Sequence, residues 1–115
     1  KEITIKSHVT DINLGVDLAV PCGLILNELV SNSIKYAFPG EREGKIEIKF
    51  EKNDSETFKL SVSDDGVGIP KDIDFRDTAS LGLQLVTTLT EQLDGEISLE
   101  KCPGTSFHIS FQEPD

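Results

Sequence analysis

Short segments of alternating apolar and polar residues constrain this chain more than any other feature. The clearest spans 45–51, where Ile46, Ile48 and Phe50 alternate with charged residues, a period of two that is typical of a strand with one buried face. Similar segments lie near residues 2–9, 58–62, 97–99 and 107–111. Strands with one apolar face form a sheet that helices cover on that face only. The pattern excludes a doubly wound nucleotide-binding fold, whose strands are apolar on both faces.

Two helices are predicted between these strands. We expect the first to be regular from about 21 to 37, after an irregular start in which Asp17 caps the helix and Pro21 lies in its first turn. The second, over about 81–93, places a leucine at every fourth position on one stripe. The order strand, helix, hairpin, loop, helix, hairpin predicts an α/β (α+β) fold. We expect a two-layer sandwich with a mixed, mostly antiparallel sheet and helices on one face.

Length and charge narrow the class of protein. The 115 residues suffice for a packed core, and we expect residues 1–115 to form a single domain. The chain begins at Lys1 and contains no Met, which predicts a fragment of a larger protein. The net charge of −10 disfavours binding to nucleic acid or to an anionic membrane. It leaves nucleotide binding open, because a divalent cation and local donors can offset phosphate charge.

Cysteine and histidine supply no metal-binding pattern. Cys22 and Cys102 lie far apart in the chain, and we predict that both are reduced, as in a cytoplasmic protein. His8 and His108 lie in strand-like segments without a neighbouring cluster of ligands, and we interpret both as ordinary strand residues. No apolar run reaches the roughly 20 residues that a membrane span requires.

The first helix carries a polar stripe. At about 100° per residue, Glu28, Asn32 and Lys35 fall close together on one side of a regular helix. A carboxylate, an amide and an ammonium group on one face suit a metal-bound phosphate. They equally suit the solvated face of an amphipathic helix. The stripe alone does not decide between the two.

A second motif follows the predicted strand near 58–62. Asp64 and Asp65 precede Gly66 and Gly68, so two acids and two glycines lie where the alternation stops. The glycines allow close approach of a ligand, and an Asp at a strand end can accept a hydrogen bond from an exocyclic amine. An ordinary Asp-Gly turn explains the same residues.

A third motif opens the second helix. Ser80, Leu81, Gly82 and Leu83 form a small-residue helix start, where free backbone N–H groups and the helix dipole favour an anion. Ser80 would also serve as a plain N-cap residue. The residues GTSF at 104–107 resemble many hairpin turns and are a weak signal by themselves.

Taken in order, these motifs resemble those of the histidine kinase-like ATPase superfamily, which shares the Bergerat ATP-binding fold. The helix residues NELVSN at 27–32 and KYAFP at 35–39 resemble its N-box. Its three glycine boxes are similar to VSDDGVGI at 62–69, SLGL at 80–83 and GTSF at 104–107. The residues of these motifs are similar to those of the catalytic ATP-binding domains of sensor histidine kinases, in the branch with the second type of dimerisation and phosphoacceptor region.

The resemblance implies roles for individual residues. Asn32 would coordinate Mg²⁺, Lys35 would contact a phosphate, and Tyr36 would lie against the adenine or ribose. Asp64 would accept a hydrogen bond from the adenine amino group. The remaining cofactor-binding positions implied are Gly66, Gly68 and Ile69 near the base, Ser80, Leu81, Gly82 and Leu83 near the phosphates, and Thr105 in the water network beside Asp64.

Three positions depart from the pattern of many relatives. Glu28 stands where many sensor kinases have Asn. Members that hydrolyse ATP place a general-base Glu there, so Glu28 is a third candidate catalytic residue beside Asn32 and Lys35, and a second candidate metal ligand. The phenylalanine-containing box is reduced to Phe75, and Ser80 replaces a frequent glycine.

The resemblance implies a protein histidine kinase in two-component signal transduction. The domain would bind Mg²⁺-ATP and supply the γ-phosphate to a histidine on a separate dimerisation domain of the same parent, with a response regulator downstream. It would not phosphorylate itself alone, contact a membrane directly or bind nucleic acid. The alternatives are an ATP-hydrolysing clamp, a serine kinase of the anti-sigma-factor type, and a nucleotide-binding interaction module without transfer activity.

Overall fold

The computed structural model describes residues 2–9, 14–38, 43–53, 55–67, 81–100 and 104–112. Their elements are, in chain order, β1 (Ile3–Val9), α1 (Val16–Asn32), a π-helical turn (Ser33–Ala37), β2 (Gly44–Lys52), β3 (Thr57–Asp64), α2 (Leu81–Gln92), β4 (Glu96–Glu100) and β5 (Thr105–Gln112). Each predicted strand and helix is present in the predicted order.

The strands form one mixed sheet in the order β1-β2-β3-β5-β4. β1 runs parallel to β2, and the three other pairs are antiparallel. The alternating apolar residues of the central strands face the helices, as expected. They are fully or almost fully buried with the apolar stripes of α1 and α2, and this core includes Ile25, Leu29, Ile46, Phe58, Leu60, Val62, Val86, Ile109 and Phe111. The predicted α+β sandwich is therefore confirmed.

The start of α1 differs from the prediction. The helix begins at Val16, and its N-cap residue, Gly15, makes no side-chain capping bond. Asp17 lies inside the first turn, where its negative charge interacts favourably with the positive end of the helix dipole. Pro21 is the sixth residue of a continuous helix, so it costs α1 one backbone hydrogen bond without ending it. The expected Asp17 cap and irregular start are both wrong, because burial of Leu18 on the core side outweighs the local preference of proline.

The end of α1 also differs from the prediction. Regular α-helix stops at Asn32, and residues Ser33–Ala37 form the π-helical turn instead of a further α-helical turn. A π-turn hydrogen-bonds each residue to the fifth along the chain and so widens the helix. Short π segments are frequently found at functional sites.

The opposite face of the sheet is polar. On this outer face, Glu47, Lys49, Lys59, Ser61 and Ser98 line a concavity of about 470 Å³. The outer residues alternate with the buried ones along β3 and β5, which is the pattern that the sequence predicts there, whereas Ile5 and Val9 of β1 are exposed. Within the described residues, neither helix combines the length and apolarity needed to cross a bilayer.

Candidate nucleotide site

The carboxylate of Asp64 is the best-anchored polar group of the site. Asp64 is the last residue of β3, and its backbone pairs with Ile46 of β2 on one side and with Thr105 of β5 on the other. Its Oδ2 accepts a hydrogen bond of 2.9 Å from Ser33 Oγ, and its Oδ1 accepts one of 2.9 Å from the Gly66 N–H. Both backbone and side chain are therefore held in one orientation, at the end of the sheet and on its helix side.

The turn after Asp64 packs directly on the π-turn. The Val67 N–H donates a hydrogen bond of 2.9 Å to the carbonyl oxygen of Ala37, the last residue of the π-turn. A Cβ on Gly66 would overlap that oxygen and would lie 2.5 Å from Ala37 Cβ and 2.8 Å from the Ala37 carbonyl carbon. Glycine at this position is explained by contact with the protein backbone, an explanation additional to the close approach of a ligand.

The last glycine box covers the other side of Asp64. A Cβ on Gly104 would overlap the Asp64 carbonyl oxygen and lie 3.1 Å from Asp65 Cα. Thr105, directly opposite Asp64 in the ladder, is buried, with 8% of its surface exposed. Thr105 therefore lies beside Asp64, as a shared water network would need.

A second group of predicted residues meets where α1 and α2 cross. A Cβ on Gly82 would overlap Glu28 Oε2 and would lie 3.4 Å from Glu28 Cδ and 3.7 Å from Asn32 Nδ2. Glu28 and Asn32 are one turn apart on α1, so both side chains reach the first turn of α2. Leu83, the next residue of α2, packs against the core.

The side-chain amide nitrogen of Asn32 is a buried donor of this site. Its Nδ2 is buried and has no hydrogen-bond partner among the described residues. A buried polar group without a partner costs about 1–3 kcal/mol, so such groups are rare in folded proteins and often mark a ligand position. An amide oxygen and a nearby carboxylate are hard oxygen donors of the kind that Mg²⁺ prefers. The Asn32 amide oxygen and the Glu28 carboxylate therefore have the chemistry of magnesium ligands, whereas the unpartnered Nδ2 is a donor and suits a phosphate oxygen.

The π-turn changes the predicted stripe. Lys35 is exposed within this turn, and the wider winding moves it further round the helix from Asn32 than α-helical spacing implies. Its flexible stem still allows the ammonium group to reach a phosphate above the helix end. Tyr36 is the fourth residue of the π-turn, and its side chain is outside the described part of the structure.

The predicted residues thus form two groups joined through the chain itself. Glu28, Asn32 and Gly82 meet at the helix crossing, while Asp64, Gly66 and Thr105 meet at the end of β3. Asn32 and Ser33 are consecutive in the chain. Asn32 belongs to the group at the helix crossing, and Ser33 bonds to Asp64 in the group at the end of β3. Leu81 opens α2, and its side chain is outside the described residues, as are the predicted positions Gly68, Ile69 and Ser80.

Sequence reasoning missed Ser33 and Ala37. Both lie within the N-box residues, yet neither was assigned a role, because nothing in their spacing pairs them with a strand end about 30 residues later.

The histidines offer no second site. His108 Nε2 lies 2.9 Å from Ser106 Oγ and 3.6 Å from Glu100 Oε1. Both contacts use the same ring nitrogen, whereas a catalytic triad needs one partner on each nitrogen. His8 pairs with Glu47 at 3.4 Å. No group of three or more metal-ligating side chains occurs in the described portion of the chain.

Comparison with known proteins now decides the family. Residues 18–115 match the model of the family described as histidine kinase-, DNA gyrase B-, and HSP90-like ATPases. The chain belongs to this family. The match spans both groups of the site, so the predicted superfamily is confirmed.

Sensor histidine kinases are among the relatives of this chain. The chain is 26% identical over 112 residues to blue-light-activated histidine kinase 2 of Erythrobacter litoralis, covering 97% of this chain and 32% of that protein. It is 35% identical over 107 residues to the sensor histidine kinase PdtaS of Mycolicibacterium smegmatis, covering 89% of this chain and 21% of that protein. The chain thus spans about a third or less of these relatives.

A solved structure gives the same result. The histidine kinase domain of the Erythrobacter litoralis blue-light-activated kinase EL346 superposes with a TM-score of 0.89 at 26% identity, covering 96% of this chain and 51% of that one. The chain is therefore a histidine kinase-like ATPase domain with the fold of histidine kinase catalytic domains.

Proposed function

We propose that this domain binds Mg²⁺-ATP and supplies its γ-phosphate to a histidine on a separate dimerisation domain of a larger sensor kinase. The base would lie against Asp64 at the end of β3, and the phosphates would lie between the end of α1 and the start of α2. The observation that carries the proposal is the buried Asn32 Nδ2, which has no hydrogen-bond partner in the described part of the chain and lies one residue from the Ser33 that anchors Asp64.

The base end of the site is built to accept a hydrogen bond. Each oxygen of Asp64 already accepts one protein hydrogen bond and retains a lone pair for a ligand. A carboxylate presents acceptors only, so it favours an exocyclic amine such as adenine N6 over a carbonyl oxygen at the same place. Thr105, the cross-strand neighbour of Asp64, would hold a bridging water there.

The phosphate end combines an oxygen ligand with close helix packing. Asn32 and Glu28 would hold the magnesium ion, which would neutralise phosphate charge when bound. The first turn of α2 lies at the positive end of the helix dipole, which favours an anion, and Gly82 lets this turn approach both side chains. Lys35 would bind a phosphate oxygen from the π-turn.

The reaction requires little covalent chemistry from the domain. The bond between the γ-phosphorus and the β–γ bridging oxygen breaks, a bond to the acceptor imidazole nitrogen forms, and ADP leaves. The residues named here would orient the two reactants and hold the charge that develops. Glu28 would take the proton that the phosphorylated imidazolium releases.

The partner would be the dimerisation and phosphoacceptor domain of the same parent protein, with a response regulator downstream. The relatives are several times longer than this chain and are named sensor kinases, which supports a multidomain parent. The domain would lie in the cytoplasm, whether the parent is soluble or membrane-anchored. Residues 1–115 would be its catalytic module.

Calorimetric titration of Mg²⁺-ATP into the 115-residue chain tests binding. We expect Asp64→Asn and Asn32→Ala each to weaken affinity about tenfold to a hundredfold, because each removes a charge-assisted or metal contact. The matched controls are Asp94→Asn, which removes one charge at a left-handed turn residue, and Asn27→Ala on the exposed side of α1. Unchanged affinity in the site variants would refute the assignment.

Transfer is tested by adding the parent's histidine-bearing domain in trans with γ-labelled ATP. We expect label on that domain and none on the catalytic domain alone. Label on a serine of an added protein would instead favour the serine-kinase alternative. Binding without transfer to any histidine domain would favour the interaction module.

Glu28 supports a second candidate function, ATP hydrolysis. Its carboxylate lies against Gly82, within reach of a water placed beside the phosphates. We expect Glu28→Gln to slow any hydrolysis by the isolated domain at least tenfold, because an amide cannot take a proton. Its amide oxygen can still hold the magnesium ion, so Mg²⁺-ATP affinity should fall much less than in Asn32→Ala. Equal turnover in wild-type protein and Glu28→Gln would show that Glu28 is not the base for hydrolysis. That result would not contradict the proposed kinase function.

A further inference from the structure

Ser33 uses its hydroxyl differently from two threonines of α2. Thr87 Oγ1 and Thr90 Oγ1 each donate to the carbonyl of the residue four positions earlier, at 3.0 and 2.8 Å. That bond is the usual local choice of a hydroxyl within a helix. Ser33 instead directs its hydroxyl out of the helix and onto Asp64 Oδ2, 31 residues away in the chain.

The geometry fixes both partners of this bond. The Ser33 backbone N–H donates to the Leu29 and Val30 carbonyls at the end of α1. Asp64 is held by the β2 and β5 ladders, and its second oxygen is occupied by the Gly66 N–H. The two hydrogen bonds reach the carboxylate from different sides, so rotation about the Cβ–Cγ bond would break at least one of them.

The other end of the π-turn supports the same contact. Ser33 begins the turn and binds Asp64, while Ala37 ends it and accepts from the Val67 N–H. The five residues are therefore held at both ends, by the last residue of β3 and by the loop that follows it. A turn fixed at both ends keeps the Ser33 hydroxyl at a constant distance from Asp64.

We infer that Ser33 is a positioning residue for recognition of the nucleotide base. Its hydroxyl orients the Asp64 carboxylate so that a free lone pair faces the exocyclic amine of an adenine-type base. A pre-oriented acceptor loses less entropy when the ligand arrives, so the amine contact contributes more to affinity. The inference rests on the proposed function, since it assigns a role within the same nucleotide site.

The test compares two nucleotides that differ only in the amine. Calorimetry with Mg²⁺-ATP and with purine riboside triphosphate, which lacks the 6-amino group, gives an affinity ratio that reports the amine contact alone. We expect wild-type protein to prefer ATP. Ser33→Ala and Ser33→Cys, which remove the strong donor in two different ways, should weaken ATP about tenfold and the amine-free nucleotide little. Ser33→Thr, which keeps the hydroxyl, should retain the wild-type ratio.

The outcomes separate this inference from the proposed function. An unchanged ratio in Ser33→Ala and Ser33→Cys overturns the inference and leaves ATP binding intact. Equal weakening of both nucleotides also overturns it, because that result indicates a structural role only. Failure of wild-type protein to bind ATP overturns the proposed function itself. Ser61→Ala, on the outer face of β3, is the matched serine control and should leave both affinities unchanged.

Discussion

Gly82 of α2 lies directly against the carboxylate of Glu28 in α1, so that a single added methyl group would overlap Glu28 Oε2. The contact joins the helix that carries the N-box to the helix that carries the second glycine box. It also leaves the Asn32 amide within 3.7 Å of the same added atom. Close approach of these helices is thus a property of the protein fold before any ligand binds.

We expect Gly82→Ala to separate stability from function. The atom in the way is the end of a flexible side chain, so Glu28 can turn aside at little cost, and alanine favours a helix by up to about 1 kcal/mol. The free energy of unfolding should therefore be equal or slightly higher. Mg²⁺-ATP affinity should fall about tenfold, because Glu28 and Asn32 are displaced.

Gly23→Ala is the matched control for this change. Gly23 is also a helical glycine, and a Cβ there meets nothing within 4 Å. It should stabilise the fold by about 0.5–1 kcal/mol and leave affinity unchanged. Urea unfolding and calorimetry on both variants give the comparison, and a loss of stability in Gly82→Ala alone would contradict the proposed packing.

Gly66→Ala should affect both properties. Its Cβ would collide with the backbone carbonyl group of Ala37, which cannot turn aside. Relief of the clash requires a shift of the π-turn or of the loop after β3, at a cost of about 1–3 kcal/mol. We expect urea unfolding to show that loss, and nucleotide titration to show weaker binding, since Asp64 loses its bond from the Gly66 N–H. Wild-type stability would show that the backbone contact is not tight.

Replacement of Asn32 by leucine should stabilise the ligand-free domain. The change removes an amide whose buried Nδ2 has no partner among the residues that the structure describes, and it places an apolar side chain of similar size there. We expect a gain of about 1 kcal/mol in the free energy of unfolding and a loss of Mg²⁺-dependent ATP affinity. The control is Asn27→Leu on the exposed side of the same helix, for which neither change is expected. Destabilisation by Asn32→Leu would indicate a protein partner for the amide.

Burial of Cys22 gives a prediction for alkaline pH. Burial raises the pKa of its thiol from 9.0 to about 11. At pH 9 about 1% of the folded protein then carries the thiolate, against about half of the unfolded chain. In a Cys102→Ser background, alkylation by iodoacetamide should therefore be about fifty-fold slower in native protein than in urea. Comparable rates would show that Cys22 is accessible.

The same shift predicts a loss of stability above pH 9. The folded state keeps the thiol proton to about pH 11, whereas the unfolded state releases it from pH 9 upward. The contribution of Cys22 is thus complete below pH 9 and decreases between pH 9 and 11, at up to about 1.4 kcal/mol per pH unit. Urea unfolding of the wild-type protein and of Cys22→Ala across this pH range isolates the contribution of Cys22 to the free energy of unfolding. Parallel curves for the two proteins would contradict it.

The strands were predictable because each follows a local rule. Alternation identifies β2, β3 and β5 with their buried faces, and the leucine repeat identifies α2 to within one residue of its end. The same kind of local rule failed at Pro21 and Asp17. A helix with a large buried stripe tolerates one lost hydrogen bond, and its start is set by the packing of Leu18 and Cys22.

The site was predictable as a set of residues but not as an arrangement. The spacing of Glu28 and Asn32 placed them on one side of α1, and both do reach Gly82. The same spacing does not extend to Lys35, because the helix changes from α to π after Asn32. Both ends of this π-turn bond to residues some thirty positions away, Asp64 and Val67.

By itself, the sequence determined which face of the central strands is buried, and it carried the order of four motifs that indicates the family. Only the tertiary structure decided that Ser33 anchors Asp64, that Ala37 receives the loop after β3, and that Gly82 makes room for Glu28. Burial periodicity is a property of neighbouring residues and can be seen in a short window. Contacts across the sheet and between helices depend on how distant segments meet, and no local pattern encodes the distances between them.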